Sequence, residues 1–247
     1  MKRLTPTLLG VAAAALTLAV SPSAQADTLA QWTFESSFSS LSGTSASLGG
    51  IAPETLFTGA TAAASGTHAG AGTVWSSPAG NGSLHSFSAN LWAQGDYWQL
   101  TLSPNHVNYT YSAIQVSYDQ NGSSTGPKTF YFAYSTDGTT WNTVGSDYAL
   151  ASGVTWSTGT AGQPTAESFD LSAITALNTA STMYFRIVND SPATGGAING
   201  GNVGTGGTDR LDNFTVSGTV IPIPEPSVLC LLGGFGVLGW HLIRRRR

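Results

Sequence analysis

Gly122-Ser123-Ser124-Thr125-Gly126 has the spacing of the G-x-S-x-G turn that carries a serine nucleophile. A serine works in that setting when a sharp strand-to-helix elbow exposes its Oγ to a histidine and an oxyanion hole. Here the pentapeptide lies in a polar stretch between two strand-like segments, so the match is read as compositional. His68, His85 and His106 stand alone, without H-E-x-x-H or clustered Cys/His spacing, which argues against catalytic zinc. Glu167 with Asp170, or Asp209 with Asp212, supplies the two carboxyls that glycoside hydrolysis uses. That chemistry needs a set distance across a sugar ring, which spacing along the chain does not determine, and carboxyls on a polar face are ordinarily solvated. The residues point to a non-catalytic chain.

Binding is better represented than catalysis. Trp75, Trp92, Trp98, Trp141 and Trp156 are numerous for a chain this size, and aromatic faces stack on the C–H surfaces of sugars while Asn, Asp and Gln bond the hydroxyls. Trp98 falls in register with core positions. Trp75 and Trp156 sit among Gly, Ser and Thr in loop-like contexts and are the candidate glycan contacts, with core packing as the competing role.

The elements that must position these residues read as strands. In "DYWQLTLS" Trp98, Leu100 and Leu102 share one face, with Tyr97, Gln99 and Thr101 on the other. "AIQVSY" and "TFYFAYS" repeat the pattern through Ile114, Val116 and Tyr118, and through Phe130, Phe132 and Tyr134. Between "FYFAYS" and "WNTV", Asp137-Gly138 suits the positive φ angles of a hairpin turn, with Trp141 expected to pack behind it. "QWTFE", "ESFDL", "MYFRIVN" and "DNFTVSG" add strands, and Leu171 to Asn178 reads as one helical turn or a loop with two apolar plugs. Two turn-rich segments, 36–83 and 191–208, separate strands, the second expected as a mobile surface loop. The expected fold is all-β: a single jelly-roll-like β-sandwich spanning 27–218.

The chain's ends carry separate signals. Lys2 and Arg3 precede an apolar run from Leu8 to Val20 and the small-residue site Ala24-Gln25-Ala26, so 1–26 reads as a signal peptide and the chain as exported. Without that segment and the terminal arginines, Lys128, Arg186 and Arg210 face twelve acidic residues, a body of about −9. Such a charge excludes nucleic acid and favours neutral, cationic or metal-bridged partners. The lone cysteine, Cys230, rules out an intrachain disulfide.

At the carboxyl end Pro224-Glu225-Pro226 is followed by an apolar run over 227–243 and then Arg244, Arg245, Arg246 and Arg247. Seventeen residues make about 25 Å of helix, barely a ~30 Å hydrocarbon core, and the arginines hold the terminus in the cytoplasm. The segment 219–247 resembles the PEP-CTERM sorting signal of Gram-negative bacteria. The resemblance implies a protein exported and held in the inner membrane by this helix, then processed by an exosortase and released to the cell surface or matrix. Many members of that family accompany loci for extracellular polysaccharide. A permanent tail anchor would share the topology.

Upstream, "FDLSAITALN…YFRIVN…GGTDRLDNFTVSG" resembles the jelly-roll domains common ahead of such signals, closed by an R-x-D-N-hydrophobic strand. In related sandwiches a structural calcium lies near the first and last strands, and this resemblance makes Glu35, Asp209 and Asp212 the candidate ligands, with solvated strand ends as the alternative. The sequence thus describes an exported, non-catalytic surface or biofilm-matrix protein with polysaccharide as its expected partner. A structural envelope protein without a glycan site, and a secreted hydrolase, are the alternatives.

Overall fold

The computed structural model describes residues 26–36, 43–159 and 165–223. The expected signal peptide up to Gln25 and the sorting signal from Pro224 to Arg247 lie outside them. Among the described residues no helix is long and apolar enough to cross a membrane.

The chain forms two antiparallel sheets facing one another. Its strands are β1 (Ala26–Trp32), β2 (Gly43–Thr44), β3 (Ser47–Ile51), β4 (Thr55–Leu56), β5 (Thr61–Thr67), β6 (Val74–Ser76) and β7 (Phe87–Ala89). They continue with β8 (Tyr97–Ser103), β9 (Tyr109–Gly122), β10 (Thr129–Ser135), β11 (Asn142–Ala149), β12 (Ala166–Asp170), β13 (Met183–Asn189) and β14 (Asp209–Pro222). An eight-stranded sheet runs β12-β9-β14-β7-β6-β2, with β1 pairing β14 and β4. A six-stranded sheet runs β11-β10-β13-β8-β5-β3. The last strand, β14, lies against β9, β7 and β1 and continues to Pro222, past the end expected at 218.

The period-two patterns all direct their apolar sides inward. Trp98, Leu100 and Leu102 are buried on β8, Ile114, Val116 and Tyr118 on β9, and Phe130 and Phe132 on β10. Trp32 and Phe34 are both sealed, the second just past β1 with a positive φ of 57°. Between the sheets Phe87 and Trp98 lie 4.3 Å apart by ring centroid, as do Phe132 and Phe169, while within the eight-stranded sheet Tyr118 stacks on Phe214 at 5.5 Å. Pairs like these contribute about 0.5–1.5 kcal/mol each beyond the area they bury.

Two segments differ from expectation. The stretch read as turn-rich contains β2 to β6; β5 is built of Gly, Ala, Ser and Thr alone, and its inward positions lack bulk because Trp75 and Trp98 stand against them. At Gly66 a Cβ would stand 2.5 Å from the Trp75 ring and 3.0 Å from Trp98, so the strand must be smooth there. The 191–208 loop is pinned rather than free: Ile198 N–H donates to Gly126, Gly204 N–H to Thr125 and Val203 N–H to Ala193, and Ala197 and Ile198 are buried. Between Leu171 and Asn178 the chain enters a short 3₁₀ turn, Thr175–Thr179, which plugs the core with Leu177.

Gly66→Val should cost about 1–3 kcal/mol of stability through overpacking against Trp75 and Trp98, seen as a lower urea midpoint by tryptophan fluorescence. Gly206→Ala, where a Cβ meets nothing within 4 Å, should leave the midpoint unchanged.

Candidate functional site

Alternation along a strand sends every second side chain to the solvent face. On the six-stranded sheet that face carries Tyr97, Gln99 and Thr101 from β8, Tyr184, Arg186 and Val188 from β13, and Tyr131 from β10, all in the register of adjacent strands. Arg186 is its centre. Its Cζ lies 3.8 Å from the Tyr97 ring centroid on one side and 3.8 Å from the Trp141 ring on the other. Its Nε–H donates to Gln99 Oε1 at 2.8 Å. A planar guanidinium can stack on aromatic faces and still present its Nη edge to an acceptor.

Trp141 is placed there by the β10–β11 hairpin. Asp137 Oδ1 accepts the Thr139 and Thr140 N–H groups at 2.8 and 2.7 Å and the Ser135 hydroxyl at 2.9 Å, and Gly138 takes a φ of 74°. Those donors hold the Asp137 carboxyl well below its ordinary range. The expected turn forms, yet its tryptophan turns to the outer face and does not enter the core. Around Arg186 opens a cleft of about 270 Å³ lined by Tyr97, Tyr131, Trp141, Thr143 and Val188. Burial, and then nearby Asp190, raises the Tyr131 phenol above its usual value, so it remains a hydrogen-bond donor at neutral pH.

A second cleft, about 320 Å³, lies on the outer face of the eight-stranded sheet between the Gly122–Ser124 turn, the 152–156 loop, Asn199 and Arg210. Trp156 lines it but is only 4% exposed, and its Nε1 has no hydrogen-bond acceptor. The G-x-S-x-G match forms part of this wall as a plain turn closed by Gly126 N–H to Ser123 O, and the chain continues into β10 with no helix. Trp75 is wholly buried and donates its indole N–H to Ser45, so the exposure expected of it is not found. It fills the space that Gly66 leaves.

The three carboxylates expected around calcium do not converge. Asp209 and Asp212 are three residues apart on β14, and odd spacing along a strand directs side chains to opposite faces. Asp209 points into the core, where Trp98 Nε1 donates to Oδ1 at 2.6 Å and Gln120 Nε2 lies 3.1 Å from both oxygens. Asp212 faces outward and is occupied by the Asn81 N–H, the Ser83 hydroxyl and the Asn213 N–H. Glu35 accepts the His85 N–H. Among the described residues no three His, Cys, Asp or Glu side chains form a group able to hold a metal.

His68 is equally structural. It packs among Trp75, Trp92 and Trp98, burial lowers its pKa to about 4, and so its 3.5 Å approach to Asp96 joins a neutral ring to a carboxyl. The signal that could have located the Arg186 face was in the alternation itself: Tyr97, Gln99, Tyr131 and Arg186 all fall on the polar side of core strands. Trp141 could not be assigned that way, because it belongs to a turn.

No family model matches the chain, and no curated protein matches it. Among solved structures it is similar to the C-terminal domain of a chitobiase from Bacteroides fragilis, at 17% identity over 53% of this chain and 68% of that one, with a TM-score of 0.26. It is also similar to Endoglucanase 3 of family GH12 from Trichoderma harzianum, at 10% identity over 67% of this chain and 100% of that one, with a TM-score of 0.23. Superpositions this loose bear on neither activity nor ligand.

Burial pushes the Asp209 carboxyl up to about 8, against the Trp98 and Gln120 donors that favour its charged form. A pKa raised by folding adds stability that is complete below the unfolded value of 3.8 and is lost as pH rises through 8. Asp209→Asn should therefore remove a decline in urea midpoint that the parent chain shows between those limits. Parallel pH profiles for the two proteins would show that Asp209 titrates alike in both states.

Proposed function

We propose that this chain is an exported, non-catalytic surface or matrix protein. On this reading its jelly-roll-like sandwich associates with extracellular polysaccharide through the outer face of the six-stranded sheet, and its terminal signal anchors it in the inner membrane until an exosortase processes it. The observation that carries the binding reading is Arg186 clamped between Tyr97 and Trp141 at the mouth of a cleft. Rigid aromatic edges offer apolar contact to sugar C–H groups at little entropic cost, and Gln99, Thr143 and Tyr131 supply hydroxyl partners around them. Sugars bind weakly per contact in water, so a long polymer crossing several strands is the ligand class that suits an open sheet face.

The sorting proposal is supported by the sequence of the terminus, where the proline pair, the short apolar run and the arginines follow in order. Mass spectrometry of surface-extracted protein should recover a carboxyl-terminal peptide that ends before Arg244. Recovery of intact Arg247 would refute processing.

For binding, a protein of residues 26–223, which contains every described strand, should bind the producing organism's own polysaccharide saturably. Trp141→Ala and Tyr97→Ala should each weaken that binding roughly tenfold while leaving the far-ultraviolet spectrum intact. Unchanged affinity in both variants would remove this face as the site. Absence of any binding would favour a structural envelope protein, and release of reducing ends would make the protein a hydrolase.

A further inference from the structure

The body of this chain has only two arginines, and each lines a cleft. Arg186 lies between Phe185 and Ile187, which face the core, so it stands on the outside of the six-stranded sheet. Arg210 lies between Asp209 and Leu211, which also face the core, so it stands on the outside of the eight-stranded sheet. The two guanidinium groups therefore look away from each other across the full thickness of the sandwich.

Neither cleft is lined by a carboxylate, although the body carries twelve. Arg186 uses its Nε on neutral Gln99, and Arg210 Nη1 lies 3.4 Å from the Ala79 carbonyl. The carboxyls nearest Arg210 along its strand are already committed. Asp209 is on the inner face, and Asp212 accepts from Asn81, Ser83 and Asn213. Beside Arg210 the indole Nε1 of Trp156 is a further donor without an acceptor. In so acidic a chain, both guanidinium groups sit in clefts with no carboxylate in the lining and make no ion pair among the described residues, so each keeps donors to spare, although the Asp209 charge is felt at Arg210 from the other side of the sheet.

Resting on the polysaccharide reading above, we propose that each cleft receives a carboxylate of an acidic polysaccharide, so that one molecule joins two glycan chains. A uronate carboxylate meets a guanidinium edge-on through two N–H···O bonds while the sugar ring lies against the flanking aromatics. The negative body does not forbid this. Its repulsion is screened beyond about 8 Å at physiological ionic strength, whereas the paired charges meet at contact distance. Opposed clefts make the protein bivalent, which is the geometry a non-covalent cross-linker of a matrix requires.

The test uses the full-length chain in detergent, a short oligoglucuronate, a polyglucuronate and a neutral glucan of equal length. Calorimetry with the oligoglucuronate should give two sites per chain, falling to one in Arg186→Gln and one in Arg210→Gln. Arg186→Lys and Arg210→Lys, which keep the charge without the fork, should each weaken their site at least about fivefold. The polymer should raise solution viscosity with the parent chain, and either single glutamine variant should abolish that rise while still binding. Thermal melts establish that the variants remain folded, and the lysine pair serves if Arg210→Gln does not. A single site, or cross-linking that survives in both glutamine variants, would overturn bivalency. Equal binding of the neutral glucan would overturn the carboxylate assignment and leave the polysaccharide reading standing. Binding of neither glycan would overturn both.

Discussion

The hydrogen bond from Trp98 Nε1 to Asp209 Oδ1, 2.6 Å long and fully buried, ties the six-stranded sheet to the eight-stranded one. Around it Gln120 donates to the same carboxyl, Tyr148 donates to Gln120, and Tyr118 meets Tyr148 at 2.8 Å. A polar chain inside an aromatic core is tolerated only when each member has a partner, because an unmade bond there costs about 1–3 kcal/mol. That requirement restricts how the sheets can slide. A shift of one residue in β8 or β14 would turn Trp98 or Asp209 to solvent and strand its partner.

Once the inner faces are set in this way, the outer faces follow. Arg186 and Arg210 are on the surface because their strand neighbours are core residues, and the register then decides what lies beside them. Gln99 reaches Arg186 because the two are paired across β8 and β13, and Asn121 borders Arg210 because β9 and β14 pair there. The two cleft-bearing faces are thus consequences of the core's packing, with the Asp137 turn adding Trp141 from outside the sheet.

Much of this was legible in the chain itself. The alternation in β8, β9, β10 and β13 marks both the core and its outward complement, and Asp137-Gly138 marks the hairpin. The smooth strand β5 was hidden, because the apolar signal there is replaced by space for Trp75 and Trp98, and space leaves no pattern in a single chain. For the same reason Trp75, in a context of small polar residues, reads as a loop residue but is fully buried.

What the sequence determined by itself is the all-β class, the inward faces of the long strands and the acidic body with few cations, because each depends on residue type and local period. Only the tertiary structure decided which groups meet. It turned Asp209 inward and Asp212 outward, laid Trp141 over Arg186, and set the two arginines on opposite faces. Those outcomes depend on strand pairing and on contacts across the sheets between residues as distant in the chain as Trp98 and Asp209, and no local pattern encodes the distance between them.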